Sequence, residues 1–567
     1  SGSGKRRAQR TLLRAERDLA VEFMGELAAQ VDSRRADLRA AAQGRDLFGR
    51  RARLSRRQRQ AAATLKQRKR DLSRLIRRVR DQDELPFFSF PVHFADPDSG
   101  AAEFDVIVGN PPWVRTHHWS GISRSRLRQR FRFLREAGWR SGSRMAGVGR
   151  GFGAQLDLSA LFLERSLELL AEDGALGFLL PAKLARSLSA AALRRQLLTT
   201  TRILRLEDCS LATSRLFDAT TYPLSLLLSK GRPERGHGVS VCMHDRRDER
   251  LDFRLPQRSL PLLQDDPESP WALAPPPVRE ALRRMHRSGP MLGAGDSSRP
   301  RRGIFTGGNA IFVGELEDSD ATGEPVAVRL GGTTVPIEAG RLRPTLRGED
   351  LAPWYFDVTR VLVWTHDDEG RPLPALPANT LRHLVRHRRF LESRVDLGHG
   401  APYWTLFRVR SEKSNHRVAW RDIAPAPGAV VLPADVPFLG ERAPIISLNT
   451  VYHILAASDQ DAHLLAGVLN STVARAYLKA IAERASGGYF RFLGWTVALL
   501  PFPNKPDAAT AEVIVQLSRQ AHARRGLLPT DRRKLDALVA RLYGLTPRDL
   551  KVLRLFDARL TNVRGSR

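Results

Sequence analysis

The sequence is poor in cysteine, with only Cys209 and Cys242 among 567 residues. Two cysteines exclude a disulfide framework and a cysteine-based zinc site, and they are typical of a protein in a reducing cytoplasm. No stretch approaches the 18 consecutive apolar residues of a membrane span. We therefore expect a cytoplasmic protein with no membrane segment, no signal peptide and no bound metal.

Acidic residues are scarce relative to basic ones. The chain has 61 Asp and Glu against 92 Lys and Arg, which gives a formal net charge of +31. A preference for arginine codons could explain arginine over lysine, but it does not by itself produce this excess. The charge predicts a polyanionic partner, most simply double-stranded DNA. The length predicts about three or four globular domains.

About half of the excess charge lies in residues 1–82, which carry 24 basic and 9 acidic residues. Apolar residues recur at helical spacing, as at Leu12 and Leu19 and again at Leu65 and Leu72, so we predict two long helices in a hairpin. Two interpretations remain open for this basic segment. It is either an arm that grips phosphates or the solvated surface of a helical layer.

The most informative segment is 104–113. Its apolar run, Val106-Ile107-Val108, has the length and β-branched content of a buried strand. Gly109 and then Asn110-Pro111-Pro112-Trp113 follow, and two prolines must end the strand. In an open α/β sheet, ligands bind at the carboxyl ends of the strands, so we expect a ligand site here.

The chemistry that needs this set of groups is methylation of a base amine. The Asn110 side-chain oxygen and the Pro111 carbonyl can each accept a hydrogen from the exocyclic amine, and Pro112 stiffens the loop. Trp113 can stack on a base that has left the duplex. Asn-Pro-Pro-Trp alone could also be an ordinary turn, but the strand and glycine before it favour the catalytic interpretation.

These residues resemble motif IV of the DNA adenine-N6 methyltransferases. The order of later segments also resembles that family: Asp157-Leu158 opening a helix with Glu164, the strand 174–181, and 217–223, Phe-Asp-Ala-Thr-Thr-Tyr-Pro. One departure is Ser159, where an aromatic residue is common. The resemblance implies a Rossmann-like α/β core over residues 83–233, with Phe217 as a second aromatic residue against the flipped base. A core phenylalanine is the alternative for Phe217.

After a connector at 234–290, residues 291–505 resemble the target-recognition domain of gamma-class adenine methyltransferases. That class includes type II restriction-modification enzymes and methyltransferases of BREX- or DISARM-like phage-defence systems. The resemblance rests on the shared order of segments 303–309, 342–351, 447–452, 469–471 and 487–492. A helical tail follows at 506–567. The candidate DNA-binding residues are Arg343, Arg347, Lys413, Arg417 and Arg491.

A cofactor-binding motif is missing. The family binds S-adenosylmethionine at a Gly-rich turn after the first strand, upstream of Asn-Pro-Pro, and residues 5–83 are helical and basic instead. The chain could be the C-terminal part of a longer methyltransferase, one half of a split enzyme whose partner carries the cofactor loop, or a relative that binds DNA without methylating it. We expect one of the first two, and hence an incomplete core.

The sequence thus predicts the catalytic and DNA-recognition portion of a site-specific, S-adenosylmethionine-dependent DNA adenine-N6 methyltransferase of restriction-modification or phage defence. The rival enzyme is a cytosine-N4 methyltransferase, which more often carries Ser-Pro-Pro. The rival of another class is a non-catalytic DNA-binding specificity subunit of a defence complex. The sequence does not reveal the recognised DNA site.

Overall fold

The chain divides into two units, Ser1–Phe104 and Asp105–Arg567, which we describe separately. The structure is a computed structural model. It describes residues 2–43, 56–81, 103–115, 124–145, 156–211, 222–245, 249–296, 298–318, 324–410, 416–504 and 506–561. Phe217 and Lys413 lie outside the described residues. The division into five domains stays a prediction.

The first unit contains the two predicted basic helices, α1 (Gly2–Gln43) and α2 (Arg56–Asp81). Ala20 and Met24 of α1 and Val79 of α2 are buried in a small apolar cluster, and Lys69 forms an ion pair with Asp32. The helices therefore pack on each other as a hairpin. The exposed basic residues of α2 are Lys66, Arg68, Arg70, Arg74, Arg77, Arg78 and Arg80.

A six-stranded mixed sheet begins the second unit. Its strands are β1 (Phe104–Gly109), β2 (Leu170–Pro181), β3 (Thr201–Asp208), β4 (Pro223–Lys230), β5 (Gly238–His244) and β6 (Arg250–Pro256). The order across the sheet is β1-β2-β4-β3-β5-β6. Strand β4 is antiparallel to both β2 and β3, β3 is parallel to β5, and β5 pairs antiparallel with β6. The predicted connector 234–290 thus supplies two strands of this sheet.

Strand β1 lies at the edge of this sheet. Asp105 lies beside Gly174, and Val108 lies beside Gly177, so β1 and β2 run in the same direction. Val106 is 63% exposed and Val108 is 79% exposed. The prediction of a buried strand is therefore wrong in one respect: the β-branched residues do form a strand, but among the described residues only β2 pairs with it.

Helices cover this sheet and lie near its strand ends. Helix α6 (Leu158–Leu169) begins where the sequence predicts a helix to open, and Asp157 caps it by accepting from the Ser159 amide. The helices in this part of the chain are α3 (Arg124–Arg130), α4 (Arg132–Arg135), α5 (Arg140–Met145), α6 (Leu158–Leu169), α7 (Lys183–Arg186), α8 (Ala191–Thr200) and α9 (Pro276–Ser288).

Residues 301–491 contribute further sheets, one of them also six-stranded. Their strands are β7 (Arg301–Arg302), β8 (Val313–Leu316), β9 (Val326–Leu330), β10 (Thr333–Ile337), β11 (Leu342–Leu346), β12 (Leu351–Ala352), β13 (Tyr355–Phe356), β14 (Arg360–Val363), β15 (His416–Arg421), β16 (Ile423–Ala424), β17 (Val430–Leu432), β18 (Asp435–Phe438), β19 (Glu441–Pro444), β20 (Ile446–Ser447), β21 (Val451–Ala456), β22 (Glu483–Ala485) and β23 (Tyr489–Arg491). The larger sheets have the orders β10-β9-β8-β14-β11-β20 and β17-β15-β21-β7. A three-stranded sheet, β16-β23-β22, is the one that reaches the candidate site.

Helices fill the remainder of the second unit. They are α10 (Asn309–Phe312), α11 (Ala378–Arg386), α12 (Arg388–Glu392), α13 (Asp459–Asn470), α14 (Thr472–Ile481), α15 (Gly494–Ala498), α16 (Ala508–Ala523), α17 (Pro529–Leu542) and α18 (Pro547–Thr561). One apolar core extends from Phe133 to Leu560, so the helical tail packs in the same core as the six-stranded sheet. In the described part of the chain, no helix combines the length and apolar character needed to cross a membrane.

Candidate active site

The Asn-Pro-Pro-Trp segment forms the loop at the carboxyl end of β1. Asn110 and Pro112 are exposed, Pro111 is buried, and Trp113 is partly buried. The indole Nε1 of Trp113 donates a hydrogen bond to the Leu179 carbonyl of β2, at 3.3 Å. The loop therefore presents the Asn110 amide to solvent while its neighbours anchor it to the sheet.

Gly109 is the last residue of β1 and lies beside Phe178 of β2. A Cβ at this position would lie 3.2 Å from Cε1 of Phe178, which is itself buried. That separation is tighter than ordinary van der Waals contact, so a larger residue would push the loop away from β2. Glycine therefore lets the loop sit directly against the neighbouring strand.

Asp157 and Lys183 lie beside the loop. The Val114 carbonyl accepts from the Leu158 amide at 2.9 Å, and Arg115 forms a β-bridge with Asp157. The Lys183 ammonium lies 2.9 Å from the buried Asp157 carboxylate. Asp157 thus ties together the loop, the start of α6 and the end of β2, and it holds a lysine beside the candidate base pocket.

A second buried ion pair lies at the same end of the sheet, where β3 ends. Arg186 donates to Asp208 at 2.5 Å, and the two side chains are 1% and 2% exposed. Burial acts to raise the pKa of Asp208, but the charges of Arg186 and Arg484 outweigh it and lower the pKa to about 2. The carboxylate is therefore ionised at neutral pH, and the pair fixes α7 against the end of β3.

The hairpin of β22 and β23 belongs to the region predicted to recognise DNA, and it contacts this end of the six-stranded sheet. The Tyr222 hydroxyl donates to the Ala485 carbonyl at 2.8 Å, and Ala485 pairs with Tyr489 across the hairpin. Its turn contains Gly487 at φ +76° and Gly488 at φ +73°, which are left-handed conformations that favour glycine. Tyr489 is 43% exposed, whereas Phe490 is fully buried.

Glu483 connects the hairpin electrostatically to the loop region. Burial raises the pKa of this carboxyl, and the charges of Arg491, Lys183 and Arg115 act in the opposite direction. Basic side chains from both parts of the chain therefore converge near one acidic group. Together with Asp157 and Asp208, these groups form a network of opposite charges at this end of the sheet.

The predicted DNA-binding residues have different environments. Arg343 is partly exposed and donates to the carbonyls of Gly340 and Leu342, at 3.1 and 2.8 Å. Arg347 is also partly exposed and lies 3.7 Å from Glu349. Arg491 is partly exposed on the hairpin. These three keep surface that a phosphate could reach.

The structure corrects the prediction that Arg417 contacts DNA. It is only 7% exposed, and its guanidinium donates to the Ile445 carbonyl at 2.9 Å and to the Pro433 carbonyl at 3.4 Å. A phosphate cannot reach this interior position, so we reassign Arg417 from DNA contact to the interior packing of β15. Strand β15 is buried on both faces at its centre, which alternation in the sequence did not indicate.

Sequence reasoning missed the ionic cluster around Asp157, Lys183 and Glu483. The position of Asp157 at the start of the predicted helix indicates its capping role. No local pattern relates it to Lys183 or to Glu483, which is more than 300 residues away in the chain. The described residues offer no cofactor loop on the open side of β1, so the structure places no residue in that predicted role.

Residues 35–217 match the family described as the Eco57I restriction-modification methylase. The chain is 21% identical to the type II methyltransferase M.XhoI of Xanthomonas vasicola over 463 residues, which cover 78% of this chain and 75% of the relative. It is also 21% identical to the type II methyltransferase M.PaeR7I of Pseudomonas aeruginosa over 478 residues, 80% of this chain and 72% of the relative.

Among solved structures, the chain is similar to the type IIL restriction-modification enzyme MmeI in complex with DNA, with a TM-score of 0.52 and 13% identity. The match covers 80% of this chain, which spans 57% of the MmeI chain. That likeness supports a methyltransferase-like fold. Together with the sequence relatives, it supports a DNA methyltransferase of the restriction-modification type.

Proposed function

We propose that this chain is the catalytic and DNA-recognition portion of a site-specific, S-adenosylmethionine-dependent DNA adenine-N6 methyltransferase. The observation that carries the proposal is the exposed Asn110 amide at the carboxyl end of β1, on a loop anchored by Pro111 and Trp113. The relatives M.XhoI and M.PaeR7I are type II methyltransferases, which agrees with the reaction class.

In the proposed reaction, an adenine leaves the duplex and its N6 amine enters the loop. The Asn110 side-chain oxygen and the Pro111 carbonyl accept the two amine hydrogens, which draws the nitrogen lone pair out of conjugation with the ring. The cofactor, when bound, supplies an electrophilic methyl group. As the N–C bond forms, the bond between this methyl carbon and the cofactor sulfur would break and leave a neutral thioether. One of the two amine hydrogens that Asn110 and Pro111 orient then leaves the nitrogen as a proton to solvent.

Trp113 stacks on the flipped base in this proposal. Its indole is held by the Leu179 carbonyl, so the ring is oriented before DNA binds. Preorganised stacking reduces the free energy needed to extrude the base from the duplex. We assign the opposite face of the base to Phe217, which stays a prediction because it lies outside the described residues.

The open edge of β1 indicates where the cofactor-binding half adjoins the chain. Val106 and Val108 are apolar, β-branched and more than half exposed, and among the described residues only β2 pairs with their strand. Exposed strand edges of this kind pair readily with a further strand. We propose that an upstream segment or a partner chain adds its sheet here and supplies the residues that bind S-adenosylmethionine.

A non-catalytic DNA-binding specificity subunit remains the second candidate. The observation in its favour is that, in the described part of the chain, no second strand beside β1 carries a Gly-rich turn. Such a subunit would bind DNA but would not bind S-adenosylmethionine, either alone or together with another chain. An Asn-Pro-Pro loop at the end of β1 that Trp113 anchors to β2 argues for catalysis, because a pure binding subunit does not need an oriented amide there.

Calorimetric titration with S-adenosylmethionine distinguishes these possibilities. We would titrate this chain alone and then the chain together with the segment or subunit encoded directly upstream. Binding only by the combined protein is the expected result. Binding by the chain alone would contradict the proposed assembly across β1, and no binding by either, with DNA binding intact, would favour the specificity subunit.

A further inference from the structure

Both cysteines of the chain lie on one face of the sheet. In the parallel pair of β3 and β5, Glu207 is the register partner of Cys242. Paired residues of neighbouring strands point to the same face, and so do residues two apart on one strand. Cys209, two residues after Glu207, and His244, two residues after Cys242, therefore share this face with them.

Three of these side chains converge. The donor atoms of Glu207, Cys209 and His244 all lie within 4.8 Å of one another. The His244 Nε2 and the Glu207 Oε1 are 2.9 Å apart. Glu207 and His244 are partly exposed, whereas Cys209 is buried at 9% exposure, so an ion could enter from the solvent side and reach the thiol below.

We propose that Glu207, Cys209 and His244 bind a divalent cation of the zinc class. Sulfur, imidazole and carboxylate are the ligand types that Zn²⁺ takes in proteins. With metal–ligand bonds of about 2.0–2.3 Å, tetrahedral donors stand about 3.3–3.8 Å apart, so small side-chain rotations suffice. When the metal–sulfur bond forms, the Cys209 proton passes to solvent, and water completes the fourth position.

The site would fix the carboxyl end of β3 against β5. Cys209 is the first residue after β3, and it opens the connection to Tyr222 and the start of β4. That connection contains Phe217. A metal joining Cys209 to His244 would therefore fix the start of this segment against β5. The expectation of no metal came from the small number of cysteines, and this cluster needs only one.

Cobalt substitution tests the site directly, with no dependence on methyl transfer. Reduced, metal-free protein titrated with Co²⁺ should bind one equivalent and show a thiolate-to-cobalt charge-transfer band. Cys209→Ser should abolish the band, and Glu207→Gln should weaken binding at least tenfold. Cys242→Ser is the matched control, because it removes the other thiol on the same face and should keep the band.

Elemental analysis after Zn²⁺ loading and desalting should give one zinc per chain in the unmodified protein and in Cys242→Ser, and much less in Cys209→Ser. Circular dichroism checks that each variant is folded. No charge-transfer band in folded protein, or a band that survives Cys209→Ser and disappears in Cys242→Ser, would overturn the proposal.

Discussion

At the scale of single residues, the proposed function depends most on Asn110. Its amide is exposed beyond the end of β1, where a base amine could meet it. Losing one preorganised hydrogen-bond partner of a transition state typically costs about 10²–10³ in rate. The same loss should matter little for DNA binding, which depends on contacts elsewhere.

We therefore expect Asn110→Ala, in the protein completed by its upstream part, to lower methyl transfer at least about 100-fold. Methylation of duplex DNA by labelled cofactor measures the rate, and fluorescence anisotropy should give an unchanged DNA affinity. Asn379→Ala is a suitable control, because Asn379 lies on α11. Among the described residues, its side chain accepts a hydrogen bond from Arg382. An equal loss of binding and activity in Asn110→Ala would mean that Asn110 is structural.

Arg417 leads to the opposite expectation. Its buried guanidinium donates to two carbonyls, which would lose their partner in an Arg417→Ala variant. We expect the free energy of unfolding to fall by roughly 2–4 kcal/mol, with the salt dependence of DNA binding unchanged. Urea denaturation and binding titrations at several salt concentrations measure the two effects. A stable variant with a reduced salt slope would restore Arg417 to the DNA-binding set.

At the scale of elements, β1 illustrates how a strand and its burial have separate causes. Three β-branched residues favour extended backbone locally, so Val106-Ile107-Val108 predicts the strand correctly. Val106 and Val108 point to the same face of the sheet, and their burial would require a layer packed on that face. They are 63% and 79% exposed, so the described residues place no such layer over them. The exposed valines are therefore the feature on which the proposed addition of a further segment at β1 depends.

We expect Val108→Lys to leave the free energy of unfolding of this chain within about 0.5 kcal/mol, because the side chain is exposed. In the protein completed by its upstream part, the same change should abolish S-adenosylmethionine binding, since a lysine disfavours pairing at a strand edge. Val395→Lys is the control at a 99% exposed valine. Normal cofactor binding by Val108→Lys would show that the cofactor-binding half adjoins another surface.

The ion pair between α7 and the end of β3 predicts a pH dependence. Burial acts to raise the pKa of Asp208, but the charge of Arg186 outweighs it. The pKa therefore falls from 3.8 to about 2 on folding. A lowered carboxyl pKa stabilises the fold above the unfolded pKa, and the contribution disappears as the pH falls towards 2. From this shift, the contribution is about 2 kcal/mol.

Asp208→Asn should accordingly be less stable than the unmodified protein at pH 7, by roughly 3–5 kcal/mol, because Arg186 remains buried without its anion. The difference between the two proteins should shrink by about 2 kcal/mol between pH 4 and pH 2. Chemical denaturation across this range measures it. A constant difference would mean that Asp208 is not ionised in the folded protein.

At the scale of the whole molecule, the net charge of +31 determines how the chain meets DNA. Each phosphate contact contributes about 0.9 to the slope of log affinity against log salt. The exposed arginines of α2 are the densest group of such charges in the first unit. The basic-arm interpretation predicts that they contribute to this slope, whereas the solvated-layer interpretation predicts no effect.

We expect a variant with four glutamines on α2 to bind DNA with a salt slope reduced by about 2–4. The substituted residues are Arg68, Arg70, Arg74 and Arg77. The charge-matched control replaces four exposed arginines of the helical tail, Arg524, Arg532, Arg533 and Arg548. Anisotropy titrations from low to high salt measure both variants, and equal slopes in the two would support the solvated-layer interpretation.

Local patterns in the sequence sufficed for the elements and for the Asn110 loop. Helical spacing located α1 and α2, and Pro111 and Pro112 required β1 to end, because backbone sterics act between adjacent residues. Local patterns could not show that, among the described residues, only β2 pairs with β1. Nor could they show that Arg417 is buried or that Cys209 lies close to His244. Those features depend on which distant segments lie side by side, and neighbours across a sheet leave no signature in the spacing of residues along one strand.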